Sequence, residues 1–180
     1  MPDFGHAWPP LLIAAALLGL AVLEHGVGTT GRPLSGAATA VDGDTIRLAG
    51  ARVRLLGIDA PELAQTCTGP DGQDWRCGAA ARTKMAGLLA GGKVECRTSG
   101  RDVYGRPLAD CRIGEVDLGR AMVVAGLAVA DGGFSPEEAA ARQAKLGIWG
   151  GSFIRPAEWR REHGEMAPPN PLGHLLRWLC

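Results

Sequence analysis

The 180-residue chain has no excess of charge of either sign: 19 Lys and Arg balance 19 Asp and Glu. Bulk attraction to a polyanion is therefore absent, and any such affinity has to arise from local clustering. Over residues 37–161 the count is 17 basic against 15 acidic residues, a surplus too small to alter that. No uncharged apolar run reaches the roughly 20 residues that span a bilayer. No C-x2-C pair occurs among the five cysteines, which argues against a zinc knuckle. No internal repeat is visible, and the length suits one domain of ordinary size with extensions.

The N-terminus reads as a separate object. LLIAAALLGLAVL (11–23) is an apolar run of 13 residues, the length of a signal-peptide core. A basic flank and a clean small-x-small cleavage site are both missing, so residues 1–25 are read as a signal peptide or as an uncleaved membrane anchor. GVGTTGRPLSG (26–36) has the composition of a flexible linker, which argues against the run being a core helix. A domain over 37–161 and a polar, Pro-rich tail over 162–180 complete the expected organisation. Membrane contact is expected only through the N-terminal segment, and a monomer is expected.

Cysteine usage points to the same compartment. Cys67, Cys77, Cys96 and Cys111 form an even set inside the domain, with Cys180 left over. Two disulfides in an exported protein are expected. Neighbour-with-neighbour pairing, Cys67–Cys77 and Cys96–Cys111, is one of three connectivities.

From residue 38 short strand-like segments follow: ATAV, DTIRL (44–48) and RVRLLGI (52–58), the last two joined by a tight turn at AGA. Residues 64–77 are loop by composition. Helical spacing of Ala81, Met85, Leu88 and Leu89 predicts a helix over 78–92. KVECRT (93–98) and PLADCRI (107–113) return to strand character around SGRDVYGR. Two more helices are expected over 116–130 and 135–149, the second with Ser135 as cap, Pro136 at its start and Glu138 completing a capping box. Five short strands and three helices make an α+β domain built on a small barrel.

Acidic residues cluster where strands begin or end. VDGDT places Asp42 and Asp44 around a glycine, and IDAPE places Asp59 and Glu62 beyond the next strand. Hard divalent ions take several oxygen ligands, so carboxylates from two neighbouring strand ends and a backbone carbonyl can share one. Pro61 stiffens the turn that would hold Glu62 beside the ion, where a water-activating base belongs. Arg54 and Arg106 are available to grip phosphate oxygens through guanidinium forks.

VDGDTIRL, RVRLLGIDAPE, DVYGRPLA, GLAVA and EEAAARQAKLGIW together resemble the staphylococcal nuclease (thermonuclease) family, of the cysteine-bearing exported bacterial type. The resemblance covers residues 37–149. It implies a five-stranded OB-fold β-barrel with three helices and a Ca²⁺-dependent endonuclease that cleaves DNA and RNA to leave 3′-phosphate ends. It assigns catalysis to Arg54, Glu62 and Arg106, and calcium binding to Asp44, Asp59 and the carbonyl of Ala60, with Asp42 behind them. Tyr104 is the candidate substrate contact, with packing in its hairpin as the other reading. Two departures stand out. DGGFSP carries only Phe134 where relatives have nucleotide-contacting tyrosines, and Val103 replaces a lysine that many members carry. A non-catalytic OB-fold module that binds nucleic acid or protein is the competing function, with a complete set of catalytic residues as the discriminating feature.

Overall fold

The computed structural model describes residues 33–164. The apolar run at 11–23 and Cys180 lie outside the described residues. The first strand, β1 (Pro33–Gly36), falls in the stretch that composition reads as linker. It pairs antiparallel with β8 (Val94–Arg101), with Leu34 opposite Cys96. Packing of Leu34 against the core overrides the local Gly and Pro content.

β2 (Ala38–Ala40), β3 (Thr45–Leu48) and β4 (Ala51–Leu55) form an antiparallel meander. β4 then runs parallel to β9 (Pro107–Ile113), which pairs antiparallel with β8 and with β10 (Val116–Asp117). The resulting seven-stranded sheet has the order β1-β8-β9-β4-β3-β2, with β10 beside β9. β1 and β2 occupy opposite ends of that order, yet only Ala37 separates them in sequence. The sheet must therefore curl until its edges approach, which produces the barrel-like, α+β OB-type architecture that the sequence leads one to expect, here with more and shorter strands.

RVRLLGI is not one strand. It breaks at Leu56 and Gly57, and β5 (Ile58–Asp59) leaves the main sheet to pair with β11 (Val129–Ala130). The segment read as loop contains a small hairpin of β6 (Cys67–Thr68) and β7 (Asp74–Trp75).

Helix α1 (Cys77–Leu89) buries Cys77, Ala81, Met85 and Leu89, one residue every four, as a helix needs to present a single apolar face. The helix expected over 116–130 is shorter. α2 (Leu118–Val124) ends before Gly126, and the strand pairing of Val129 withdraws the remainder. α3 (Ser135–Gln143) is likewise shorter than expected and is followed by a 3-10 turn over Gly147–Gly150. Its cap also differs: Phe134 is the N-cap and Ser135 makes no capping bond. Glu138 turns instead to the Ala130 N–H and the Arg142 guanidinium. A fourth helix, α4 (Pro156–Glu162), extends the domain past the expected boundary at 161.

One core cluster packs Ile46, Leu48, Val53 and Ile58 against Met85, Leu118 and Met122, all fully buried. A second joins Cys67, Cys77, Val129 and Ile148, with Trp75, Trp149 and Phe153 against it. Trp159 stacks instead on His163, at 3.9 Å between ring centroids.

Cys67 is bonded to Cys77 and Cys96 to Cys111. Cys96 and Cys111 face each other across β8 and β9, below the turn that carries Arg106. In the chain-entropy account a bridge closing 15 residues stabilises by about 3 kcal/mol. Replacing both Cys96 and Cys111 by alanine should lower the melting temperature by roughly 10 °C, and calorimetry that finds an unaltered transition would refute that role.

Candidate active site

The site is built at the start of β3 and at the ends of β4 and β5. Asp42 accepts hydrogen bonds at Oδ1 from the N–H groups of Asp44 (3.0 Å) and Thr45 (2.7 Å), which folds VDGDT into a tight turn. A Cβ on Gly43 would lie 2.6 Å from the Ala60 Cβ and 2.8 Å from that of Ala81. Only glycine lets this turn, the end of IDAPE and α1 converge. Convergence buries Asp44 and Asp59 to 3% and 5% exposure.

Register then delivers the first arginine. Thr45 pairs with Arg54 across β3 and β4, so the guanidinium falls beside Asp44. Arg54 Nη1 and Nη2 lie 3.2 and 3.1 Å from the two oxygens of Asp44. Nη2 also donates to Asp59 Oδ1 at 2.7 Å. Asp44 accepts further bonds from the Thr45 hydroxyl and the Ala60 N–H.

A second arginine, absent from the expected set, completes the cluster. Arg160 of α4 donates Nη1 to Asp59 Oδ1 (2.8 Å) and Nη2 to Asp59 Oδ2 (3.1 Å). The same Nη1 reaches Glu62 Oε1 at 2.8 Å. Carboxylates and guanidiniums thus alternate as Asp44, Arg54, Asp59, Arg160 and Glu62. Nothing local in the sequence announces Arg160, which lies 98 residues beyond Glu62 at the very end of the expected domain.

Gln65 is the other residue that sequence reasoning passed over. It is fully buried, accepts from the Glu62 N–H at Oε1 (3.2 Å) and donates Nε2 to the Ile154 carbonyl (2.7 Å). A Cβ on Gly78 would stand 1.7 Å from the Glu62 carbonyl oxygen. Thr68 and Ser152 exchange backbone hydrogen bonds of 2.9 and 3.0 Å. The disulfide-linked hairpin, the Glu62 turn and the approach to α4 are therefore fastened together.

Arg106 stands apart from that chain. Its Nε donates to Asp102 Oδ2 at 2.6 Å, and its backbone N–H to Asp102 Oδ1. Its guanidinium carbon lies 5.4 Å from the centre of the Tyr104 ring. Asp42, Arg54, Glu62, Tyr104, Arg106 and Arg160 line one cavity of about 710 Å³, and Asp44 and Asp59 lie buried beside Arg54. Val103 is 78% exposed at its lip, while Phe134 packs against the core.

Burial pushes the Asp44 carboxyl up to about 7, against the opposing pull of Arg54, and the nearby charges of Asp42 and Asp59 add to the rise. Desolvation works against the Arg54 and Arg160 cations, but their carboxylate partners outweigh it and hold both firmly protonated. Partial burial disfavours the charged form of Asp102, yet its hydrogen bonds from Arg106 keep it below the usual carboxylate range.

Among the described residues no three His, Cys, Asp or Glu side chains converge as a metal cage. The set expected from sequence has two carboxylates and a carbonyl, and its chemistry suits a hard cation: all donors are oxygen, both acids are buried, and the Asp44 charge is incompletely neutralised. Water and substrate would have to supply the rest of the shell.

The curled sheet and its cleft of alternating acids and arginines define an OB-like α+β domain with a polar site at one end. Compared with known proteins, the chain belongs to the family of staphylococcal nuclease homologues, whose model matches residues 52–151. It is 34% identical to the succinoglycan biosynthesis protein ExoI of Rhizobium meliloti (strain 1021), over 74% of this chain and 73% of that protein. Arg160 lies past the matched segment.

The raised carboxyl of Asp44 has a consequence for stability. A group that holds its proton more tightly when folded contributes stability that is fully present below the unfolded value of 3.8 and is lost as the pH climbs to about 7. With cations chelated, Asp44→Asn should melt several degrees above wild type near pH 8, and the gap should narrow as the pH falls and close toward about pH 4. Thermal melts across that range check it; a variant less stable than wild type near pH 8 contradicts burial as the dominant influence.

Proposed function

We propose that the chain is a calcium-dependent endonuclease that hydrolyses phosphodiester bonds of DNA and RNA. The observation that carries this reading is the alternation of Asp44, Arg54, Asp59, Arg160 and Glu62 beside a cavity that Arg106 also lines. A cleft of this kind combines a base, fixed cations and a place for a bound cation, the components that hydrolysis of a phosphodiester needs.

In this reading Arg54 and Arg106 grip the non-bridging phosphate oxygens from two sides and stabilise the charge that accumulates there. Glu62 orients a water molecule and takes its proton at a carboxylate oxygen as the oxygen–phosphorus bond forms. The bond from phosphorus to the 5′ oxygen breaks, that oxygen acquires a proton, and the phosphate stays on the 3′ side. Arg160 holds the Glu62 carboxylate in register with Asp59, and Gln65 fixes its backbone. Calcium, held by Asp44, Asp59 and the Ala60 carbonyl, would supply polarisation of the phosphate and neutralise its charge. Tyr104, half exposed at the cavity, is the substrate contact.

The two disulfides support work in an oxidising compartment, hence export led by residues 11–23. Among the described residues no helix is long and apolar enough to cross a membrane.

Glu62→Gln and Arg106→Ala should each keep the fold and lose on the order of 10²–10³ in turnover. Steady-state cleavage of single-stranded DNA, with melting temperature as the control, measures this, and wild-type turnover in either variant removes that residue from the mechanism. Hydrolysis should also stop in excess chelator and return with calcium. Full activity in chelator contradicts the metal assignment.

A further inference from the structure

The hairpin of β3 and β4 contains a pairing that works against its own stability. Arg47 and Arg52 stand directly opposite each other, both exposed, and like charges facing across an antiparallel pair repel. Among the described residues neither side chain has an ion-pair or hydrogen-bond partner. The neighbour of Arg47 on its other side is Thr39 of β2, a neutral hydroxyl. Other arginines on this sheet have acids at hand, such as Arg97 opposite Asp110 and Arg112 beside Glu115.

The position of this pair is as informative as its charge. Alternation along β4 buries Val53 and turns Arg52 and Arg54 to the same face, about 7 Å apart along the strand. Arg52 lines the cavity that also holds Arg54, Glu62, Arg106 and Arg160. Arg54, assigned to the scissile phosphate, is oriented by Asp44 and Asp59, whereas Arg52 and Arg47 offer two further forks one step out. Neighbouring phosphates of an extended nucleic-acid strand are separated by a comparable step. The acids lining the cavity are Asp42, Glu62 and Asp102: Asp42 Oδ1 is engaged by the backbone of its own turn, Glu62 by Arg160 and Asp102 by Arg106.

We infer that Arg47 and Arg52 form a second phosphate subsite, one nucleotide from the scissile phosphate. This rests on the nuclease reading and deepens it: the substrate is a polynucleotide strand held at two consecutive phosphates, not an isolated diester. The overall charge balance of the chain is no obstacle, because the recognition is local.

The test compares wild type with an Arg47→Gln, Arg52→Gln double variant. Binding of a fluorescent oligothymidylate is followed over a salt series, in calcium and on a Glu62→Gln background that leaves the strand uncleaved. Two lost contacts should reduce the slope of log affinity against log salt by about 1.4. In the cleavage-competent protein the ratio of kcat/KM for the oligonucleotide to that for a dinucleotide with one phosphodiester should fall roughly tenfold. An unchanged slope, or equal losses on both substrates, overturns the subsite. Equal binding of a carboxylated polysaccharide, with an equal loss in the variant, also overturns it, because the pair would then be a general polyanion patch. If wild type cleaves neither nucleic-acid substrate, the nuclease reading fails while the salt slope still decides the subsite.

Discussion

Two carboxylates buried at the meeting point of three strand ends are the constraint around which the rest of this structure is arranged. Removing an ionised carboxylate from water costs several kcal/mol even after relaxation, and only well-placed opposite charge offsets it. Asp44 and Asp59 are therefore tolerable only because β3 and β4 pair in the register that brings Arg54 between them. The offset is incomplete at Asp44, whose carboxyl stays raised. The same requirement extends to the end of the domain, where α4 is held in place by Arg160 on Asp59 and Glu62. A short helix with one buried residue, Pro156, would otherwise have little reason to dock.

Support for the site comes from parts of the chain that never touch the cavity. Gly43 and Gly78 allow backbone approaches that any side chain would block. The Cys67–Cys77 bridge secures the hairpin that exchanges hydrogen bonds with Ser152, and Gln65 ties the Glu62 turn to Ile154. Cys96–Cys111 likewise braces the hairpin whose turn carries Asp102 and Arg106, both of which line the cavity. Each half of the cavity thus has a covalent brace, which suits electrostatic catalysis, where groups must be fixed before charge develops.

What could be read from sequence depended on how local each feature is. Strands with alternating or continuous apolar residues, α1 with its four-residue apolar step and the acidic turns at VDGDT and IDAPE all carry their signal within a few residues. So does the family resemblance, which rests on those same stretches. Features set by distant contacts were not legible. Residues 33–36 look like linker because β-pairing with β8 leaves no trace in their composition. The helices over 116–130 and 135–149 are truncated by a tertiary demand for Val129 in a strand and by the left-handed turn at Lys145 and Gly147. The capping box at Ser135 fails because Glu138 bonds to Ala130 and Arg142 instead. Arg160 and Gln65 escaped notice for the same reason: each acts across the fold, on partners that only the tertiary structure brings within reach.

The proposed function requires Asp44 and Asp59 to hold one cation, their charge being balanced only in part by Arg54 and Arg160. Calorimetric titration of calcium into the wild-type protein and into an Asp44→Asn, Asp59→Asn double variant reads that site independently of turnover. Saturable binding of one ion per chain is expected in wild type, with proton release on binding below about pH 7, and no binding heat in the variant. Undiminished calcium binding in that variant would contradict it.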